Sequence, residues 1–475
     1  MRFAWRPYRD RMTTLHWFRR DLRVADNPAL AAASDAARDA ASDVVPLFVL
    51  DPALWATAGV PRRSHLARSL ARLDEALGGA LVVRLGDPSE VVPALVAELD
   101  AEAVYVTAAL EPYGRRRDEQ VAARLGDLRA ELRPVGSPYA VSPGRVRKSD
   151  GDPYQVFTPF HRAWLDHGWR TPAAAPQDSP WADVRSDSLP EPPETSADLP
   201  PAGEEAALGR WHDFLADELV HYVEDRDVPG RATSGLSTAL KWGEIHPRTM
   251  LRDLAQLDAN TAPPEVVAAY RRQLAWRDFH ADVLFHHPSA RTRSLKRVVP
   301  DDAWATGTEE SEALERWATG TTGFPFVDAG MRELLATGRM HNRLRMVVAS
   351  FLVKDLHVRW QRGAEHFMRH LVDGDVAQNQ LNWQWVAGTG RDAAPYFRVF
   401  NPVTQGLKFD PDGTYVRRWV PELRHLSGKS AHEPWKVPDD LFAAPDPALP
   451  AYPERMVDHA HERERTLEDF ARRDG

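Results

Sequence analysis

Between Met340 and Asp410, acids, amides, arginines and tryptophans stand closer together than a packed core requires. The stretch opens as MHNRLRM, runs through DGDVAQNQLNWQWVAGTGRDAAPYFRVFNP and closes as VTQGLKFD. Asn342 and Arg345 are three residues apart and share one helix face. Asp373 and Asp375 flank a glycine turn. A buried charge requires a partner, so Arg345 and Asp373 are expected to pair. Asn379 and Trp383 are four apart, which turns an amide and an indole toward the same neighbour. Trp385 follows, and Trp360 lies upstream. Hydrogen-bonding carboxylates and amides flanked by tryptophans suit a large aromatic ligand.

Other segments carry weaker signals. TSGLS (233–237) leads into a helical pattern, LSTALKWG, and offers hydroxyls and backbone N–H groups to a phosphate. The same pattern serves an ordinary N-cap. RRQLAWRDFHADVLFHH (271–287) sets Gln273, Trp276 and Arg277 on one side of a helix; a salt-bridged surface helix with a tryptophan anchor reads the same way. His280, His286 and His287 lack the carboxylate spacing of a metal site. RTRSLKR (291–297) is either a solvated loop or part of a groove that follows phosphates.

The elements that must position these residues divide the chain. With 475 residues, two or three domains are expected. There is no cysteine, which excludes disulfides, thiolate metal sites and iron–sulfur clusters and accords with a cytoplasmic location. No apolar run is long enough to span a bilayer, so no membrane partner is expected. The net charge of −9 leaves only a local patch for nucleic acid. Apolar runs at 14–18, 44–50, 80–85 and 103–108 alternate with helical patterns at 28–40, 62–77, 88–99 and 114–125. That alternation predicts a doubly wound α/β domain with a parallel sheet over 13–140. No GxGxxG or GxxxxGK[ST] occurs in it. A Pro-, Ser- and acid-rich stretch, 171–206, reads as a long connection, and the interdomain connector is placed at 141–206. From 207 to 475 the pattern is helical, which predicts a larger all-α domain. Residues 1–12 look like an extension ahead of a natural start at Met12.

Taken together, these segments resemble the photolyase/cryptochrome flavoprotein family. LHWFRRDLRVADNPAL (15–30), EPYGRRRD, TSGLS, LAWRDF, HNRLRM, DGD, NWQWVAGTGRDAAPYFRVFNP, QG.KFD and HEPW occur in the family order across residues 13–465. Within the family the chain looks most like the class I cyclobutane-pyrimidine-dimer photolyases. The resemblance implies a carbon–carbon lyase that repairs UV-damaged DNA with light. Excited FADH⁻ would donate an electron to a flipped pyrimidine dimer, the ring bonds would split, and the electron would return. A monomer is expected. A blue-light receptor of the cryptochrome type and a (6-4) photolyase are the alternatives. The first is disfavoured by the short tail after HEPW, and the second by Asn342 and Met346 where a histidine pair would stand.

The resemblance also assigns roles. Tyr222, Thr233, Ser234, Gly235, Leu236 and Ser237 match the phosphate and ribose side of an FAD site. Trp276, Asn342, Arg345, Asp373 and Asp375 match the rest of its shell, and Asn379 matches the residue facing flavin N5. Trp383, Trp360 and Trp304 match a tryptophan chain that photoreduces the flavin. Trp276 and Trp385 match the walls around the dimer, with Asn342 and Met346 beside it. Arg226, Arg277, Arg343 and Gln405 match contacts to DNA or the lesion pocket. Gln273 stands where dimer photolyases carry a glutamate. EPYGRRRD and Lys241 point to an antenna of the 8-hydroxy-5-deazaflavin type rather than methenyltetrahydrofolate. Ala109 stands where an acidic residue is expected for it.

Overall fold

The computed structural model describes residues 13–176, 179–258, 261–392, 398–437 and 448–472. The expected extension at 1–12 and the AAPYF portion of the long motif lie outside them. β1 (Thr14–Phe18), β2 (Val44–Leu50), β3 (Val82–Leu85), β4 (Ala103–Val106) and β5 (Glu131–Pro134) form one parallel sheet in the order β3-β2-β1-β4-β5. Parallel neighbours need crossovers, and helices Pro28–Asp39, Val60–Ala76, Pro88–Leu99 and Pro112–Asp127 supply them. Their starts are written in the sequence. The side chains of Asn27 and Asp87 cap Leu30 N and Ser89 N, each followed by a proline at the first helical position. β5 was not anticipated. It is a four-residue edge strand, ELRP, with mostly exposed side chains and therefore no apolar run to betray it.

The carboxy-terminal region is helical. Two apolar clusters fill it, one around Trp164, Trp211, Phe214, Tyr270 and Phe279, the other around Trp317, Phe351, Trp360, Phe367 and Trp383. The helix Val376–Val386 lies between them. Ala377 and Leu381 belong to the first cluster, Trp383 and Val386 to the second.

Residues 141–206, read as a connector, are packed at both ends. A helix not anticipated there, Phe157–His167, lies on the helix Pro264–His286, with Phe157 stacked on Trp276 at 3.7 Å and 7°. Asp278 accepts from Val141 N and Trp164 Nε1, each at 2.9 Å. Further on, Val44 N donates to Pro180 O (2.8 Å) and Ala182 N to Val44 O (2.9 Å), so the segment runs beside the sheet. Main-chain bonds of this kind leave no periodic trace in the sequence.

β1 sits between β2 and β4, where the strand order reverses. Open α/β sheets commonly bind ligands in the crevice at such a point. Here the loop after β1 fills it. Arg19 reaches Asp118 at 2.6 Å, and Thr107 Oγ1 donates to Asp21 at 2.6 Å. Arg20 meets Glu111 of its own domain and crosses to the helical half, where its guanidinium meets Asp375 and its Nε donates to Lys241 O at 3.2 Å. Gly243 permits this approach: its φ is +72°, and a Cβ there would lie 2.0 Å from Arg20 O.

Candidate functional site

The helix Val376–Val386 begins at Asp375, whose side chain accepts from Gln378 N at 3.0 Å. Its other oxygen accepts from Arg20. Burial pushes this carboxyl up, but Arg20, Lys241 and Arg277 together hold it below the usual carboxylate range. Each oxygen thus has one protein donor. Asp375 starts this helix and joins it to the loop after β1.

Asp373 differs. Its Oδ2 accepts from Arg345 Nη2 at 2.8 Å, which forms the expected pair, while Oδ1 is buried with no partner. Arg345 is steadied by its Nε donating to Met340 O at 2.9 Å. Asn379 is also oriented. Its Nδ2 donates to Ala364 O (3.0 Å) and Gln380 Oε1 (2.7 Å), which leaves Oδ1 for a ligand. An unpaired buried acceptor is costly, so Asp373 Oδ1 calls for a donor. Two acceptors and a guanidinium suit the N–H and carbonyl edge of a flavin ring, and the residues present fit that group.

Trp383 is buried on the same helix, edge-on to Phe367 (5.0 Å) and Trp317 (6.0 Å), with Nε1 unpartnered. Gly363 makes room for it: a Cβ there would lie 2.2 Å from the indole. Trp360 is buried and donates from Nε1 to Ser294 Oγ at 2.9 Å. Trp304 is half-buried, with the Arg359 guanidinium 5.6 Å from its ring. Sequence reasoning missed Trp317, which is fully buried and bonded to Val348 O at 2.9 Å. In LERWATG it looks like any helix anchor.

The other expected residues fall into two groups. At the start of the helix Asn342–Lys354, exposed Asn342 and half-buried Met346 lie together, amide to sulfur 3.9 Å. Arg343 meets Asp227 at 2.8 Å and lies 4.2 Å from the Phe409 ring. Phe409 is on the helix Pro402–Phe409 with Gln405, whose Oε1 is buried and unpartnered. Arg226 lies 5.9 Å from the ring of buried Tyr222. Trp385 is half-buried, and Trp276 keeps one face covered by Phe157. Gln273 is half-buried, and its amide reaches only Ala269 O in its own helix, at 3.5 Å.

Arg277, expected at the DNA or the lesion pocket, is buried and donates to Pro138 O (2.8 Å) and Leu240 O (3.0 Å), so its burial speaks against a contact to the DNA strand. Its guanidinium ties the helix Pro264–His286 to two neighbouring segments.

In the 233–237 loop, Gly235 and Ser237 are exposed and Thr233 and Ser234 half-buried. Leu236 is buried as an apolar anchor. Arg210, also missed, holds the loop by donating to Thr233 O at 2.5 Å while bonding Glu218. His280 bonds Gln378 at 3.0 Å, and burial lowers its pKa to about 4. Among the described residues no group of three or more His, Asp or Glu is placed to hold a metal.

Residues 14–178 match the DNA photolyase family profile, and residues 270–472 match the FAD binding domain of DNA photolyase. The deoxyribodipyrimidine photo-lyase of Streptomyces griseus is 41% identical over 94% of this chain and 97% of its own. The chain belongs to the DNA photolyase family. Photolyase structures extend the likeness to the fold. A bacterial class III photolyase from Agrobacterium tumefaciens superposes with a TM-score of 0.89 at 36% identity, covering 98% of each chain. The cryptochrome of Synechocystis sp. PCC6803 gives 0.87 at 28% identity, covering 96% of this chain and 99% of that one. Photolyase and cryptochrome share this fold, so side chains must separate the two activities. No helix among the described residues is long and apolar enough to cross a membrane.

Proposed function

We propose that this chain repairs cyclobutane pyrimidine dimers in DNA with light, using reduced FAD. The observation that carries the reading is the two-sided helix Asn342–Lys354. Its first turns turn Arg345 inward to Asp373 and Asn342 and Met346 outward together. One element thus addresses a buried ring and an opening beside it. When bound, FADH⁻ supplies the excited electron; the protein supplies position and electrostatics. Asp373 and Arg345 would hold the ring edge, and Asn379 would offer its Oδ1 to the flavin as an acceptor. The TSGLS main chain and Ser237 take the phosphates, with Arg210 fixing the loop. Tyr222 backs that side through the aromatic cluster.

On the opening side, Trp276 and Trp385 flank a pyrimidine dimer taken out of the stack, as chemistry on a base demands. Met346, Asn342 and Gln273 line the same opening. Arg226, Arg343 and Gln405 serve the DNA strand or the pocket rim. Trp383, Trp360 and Trp304 form the relay that reduces the flavin. The chain works as a monomer, with the sheet domain at 13–140, the connector at 141–206 and the helical domain at 207–475.

Illuminating the reduced protein with an oligonucleotide that carries one thymine dimer is expected to release intact thymines, and darkness or a (6-4) product to give none. Persistence of the dimer under light would overturn the reading. The same assay tests Gln273. Its amide has only the long bond to Ala269 O, and a carboxylic acid there would bond the dimer radical anion about 1 kcal/mol better. Gln273→Glu is expected to raise the repair quantum yield; an equal or lower yield removes Gln273 from the pocket.

We further propose an anionic antenna of the deazaflavin type. Burial with no compensating carboxylate lowers Arg62 to about 10, and its Nε and that of Arg63 are buried without partners. Burial, with Arg20 nearby, lowers Lys241 to about 8. Cationic groups with unpartnered N–H donors suit an ionised 8-hydroxy-5-deazaflavin better than the cationic folate. Adding each to the purified protein should produce an absorption shift with the deazaflavin alone.

A further inference from the structure

The three relay tryptophans differ in what the indole N–H meets. Trp383 is buried and its Nε1 has no protein partner. Trp360 is equally buried, yet its Nε1 donates to a hydroxyl, Ser294 Oγ, at 2.9 Å. Trp304 is half-buried, and the Arg359 cation beside it is offset by Asp301 at 3.4 Å. An oxidised indole carries positive charge concentrated near its N–H. An acceptor at that hydrogen stabilises the charged ring more than the neutral one, because hydrogen bonds to charged groups are the stronger kind.

Ser294 is exposed and stands in the basic run 291–297, but its main chain is not a free loop. Gln384, fully buried, accepts from Leu295 N (3.0 Å) and donates to Ala290 O (2.8 Å) and Arg293 O (3.2 Å). Gln380 donates to Arg291 O (3.1 Å), Gln361 to Thr292 O (3.4 Å), and Lys296 N to Thr389 O (2.8 Å). Gln380 and Gln384 lie on the helix that carries Trp383. Amides of the first relay helix therefore fix the hydroxyl that meets the second relay indole.

We propose that Ser294 is a positioning residue that sets the middle step of the relay. By accepting from Trp360 it makes Trp360 easier to oxidise than Trp383, so positive charge moves outward and does not return. The step is the passage of one electron from Trp360 to oxidised Trp383. No bond forms or breaks, and the Trp360 proton stays on nitrogen, shared with Ser294. An external thiol reductant makes good the electron at the surface. The proposal rests on the relay reading above.

The test compares the FAD-loaded protein with its Ser294→Ala and Ser294→Thr variants. The indole N–H resonance of Trp360 should move upfield in Ser294→Ala and return in Ser294→Thr. After a light flash, the yield of long-lived tryptophan radical should fall about tenfold in Ser294→Ala and recover in Ser294→Thr. An unmoved resonance, or an unchanged radical yield once the resonance has moved, overturns the role of Ser294. Trp360→Phe separates the two failures: if it still yields the radical as the parent does, the relay reading has failed.

Discussion

Replacing Asp373 with alanine should yield a folded protein that loses its FAD during gel filtration. Asp373 combines two functions. It neutralises Arg345 across 2.8 Å, and it presents a buried oxygen with no partner in the protein. Alanine removes the acceptor aimed at the ring and also leaves the Arg345 charge without its carboxylate. The lost bond to a ligand is worth about 1.5–3 kcal/mol, which weakens retention by roughly ten- to a hundredfold. The Arg345 side chain is 30% exposed, so water compensates part of its charge and the fold should survive. Flavin absorbance relative to protein absorbance after filtration checks the point, with far-ultraviolet circular dichroism as the control for folding. Full flavin retention would show that the ring lies elsewhere.

Trp383→Phe is expected to split two activities that the parent performs together. Reduction of oxidised flavin by light and thiol should fall at least tenfold, since a phenyl ring yields an electron far less readily than an indole. Repair by protein already reduced chemically should persist, because the electron then goes from flavin to dimer without the relay. The smaller ring leaves a void against Gly363 and Leu352, where the indole is packed so closely that a Cβ on Gly363 would lie 2.2 Å from it. That void costs about 1–3 kcal/mol. Photoreduction and repair measured on one preparation decide it. Equal photoreduction in the variant would move the first step to a different donor, and Trp317, 6.0 Å away, is the neighbour to examine.

The parts of the site that were legible rest on short-range rules. Arg345 and Asp373 could be paired because neither charge is tolerable alone inside a protein. Asn379 and Trp383 could be placed on one face because a helix repeats every 3.6 residues. What stayed hidden depends on partners that carry no side-chain signature. Arg277 in WRD looks like a surface cation, but two main-chain carbonyls take its donors. The run RTRSLKR looks like a loose basic loop, yet the amides of buried Gln384 and half-buried Gln380 hold its backbone. The sheet was foreseen wherever its strands are apolar, and its exposed edge strand was missed for lack of that pattern.

The bond from Arg20 to Asp375 spans 355 residues, and that separation has a consequence in time. Chains emerge from the ribosome amino end first, and domains tend to fold in that order. The loop after β1 is therefore in place, with its guanidinium presented, long before the aspartate it meets has been made. When residue 375 arrives, its carboxylate closes the contact and caps the helix that bears Asn379 and Trp383 in one event. The start of the helix that bears Asn379 and Trp383 therefore depends on a loop made 355 residues earlier.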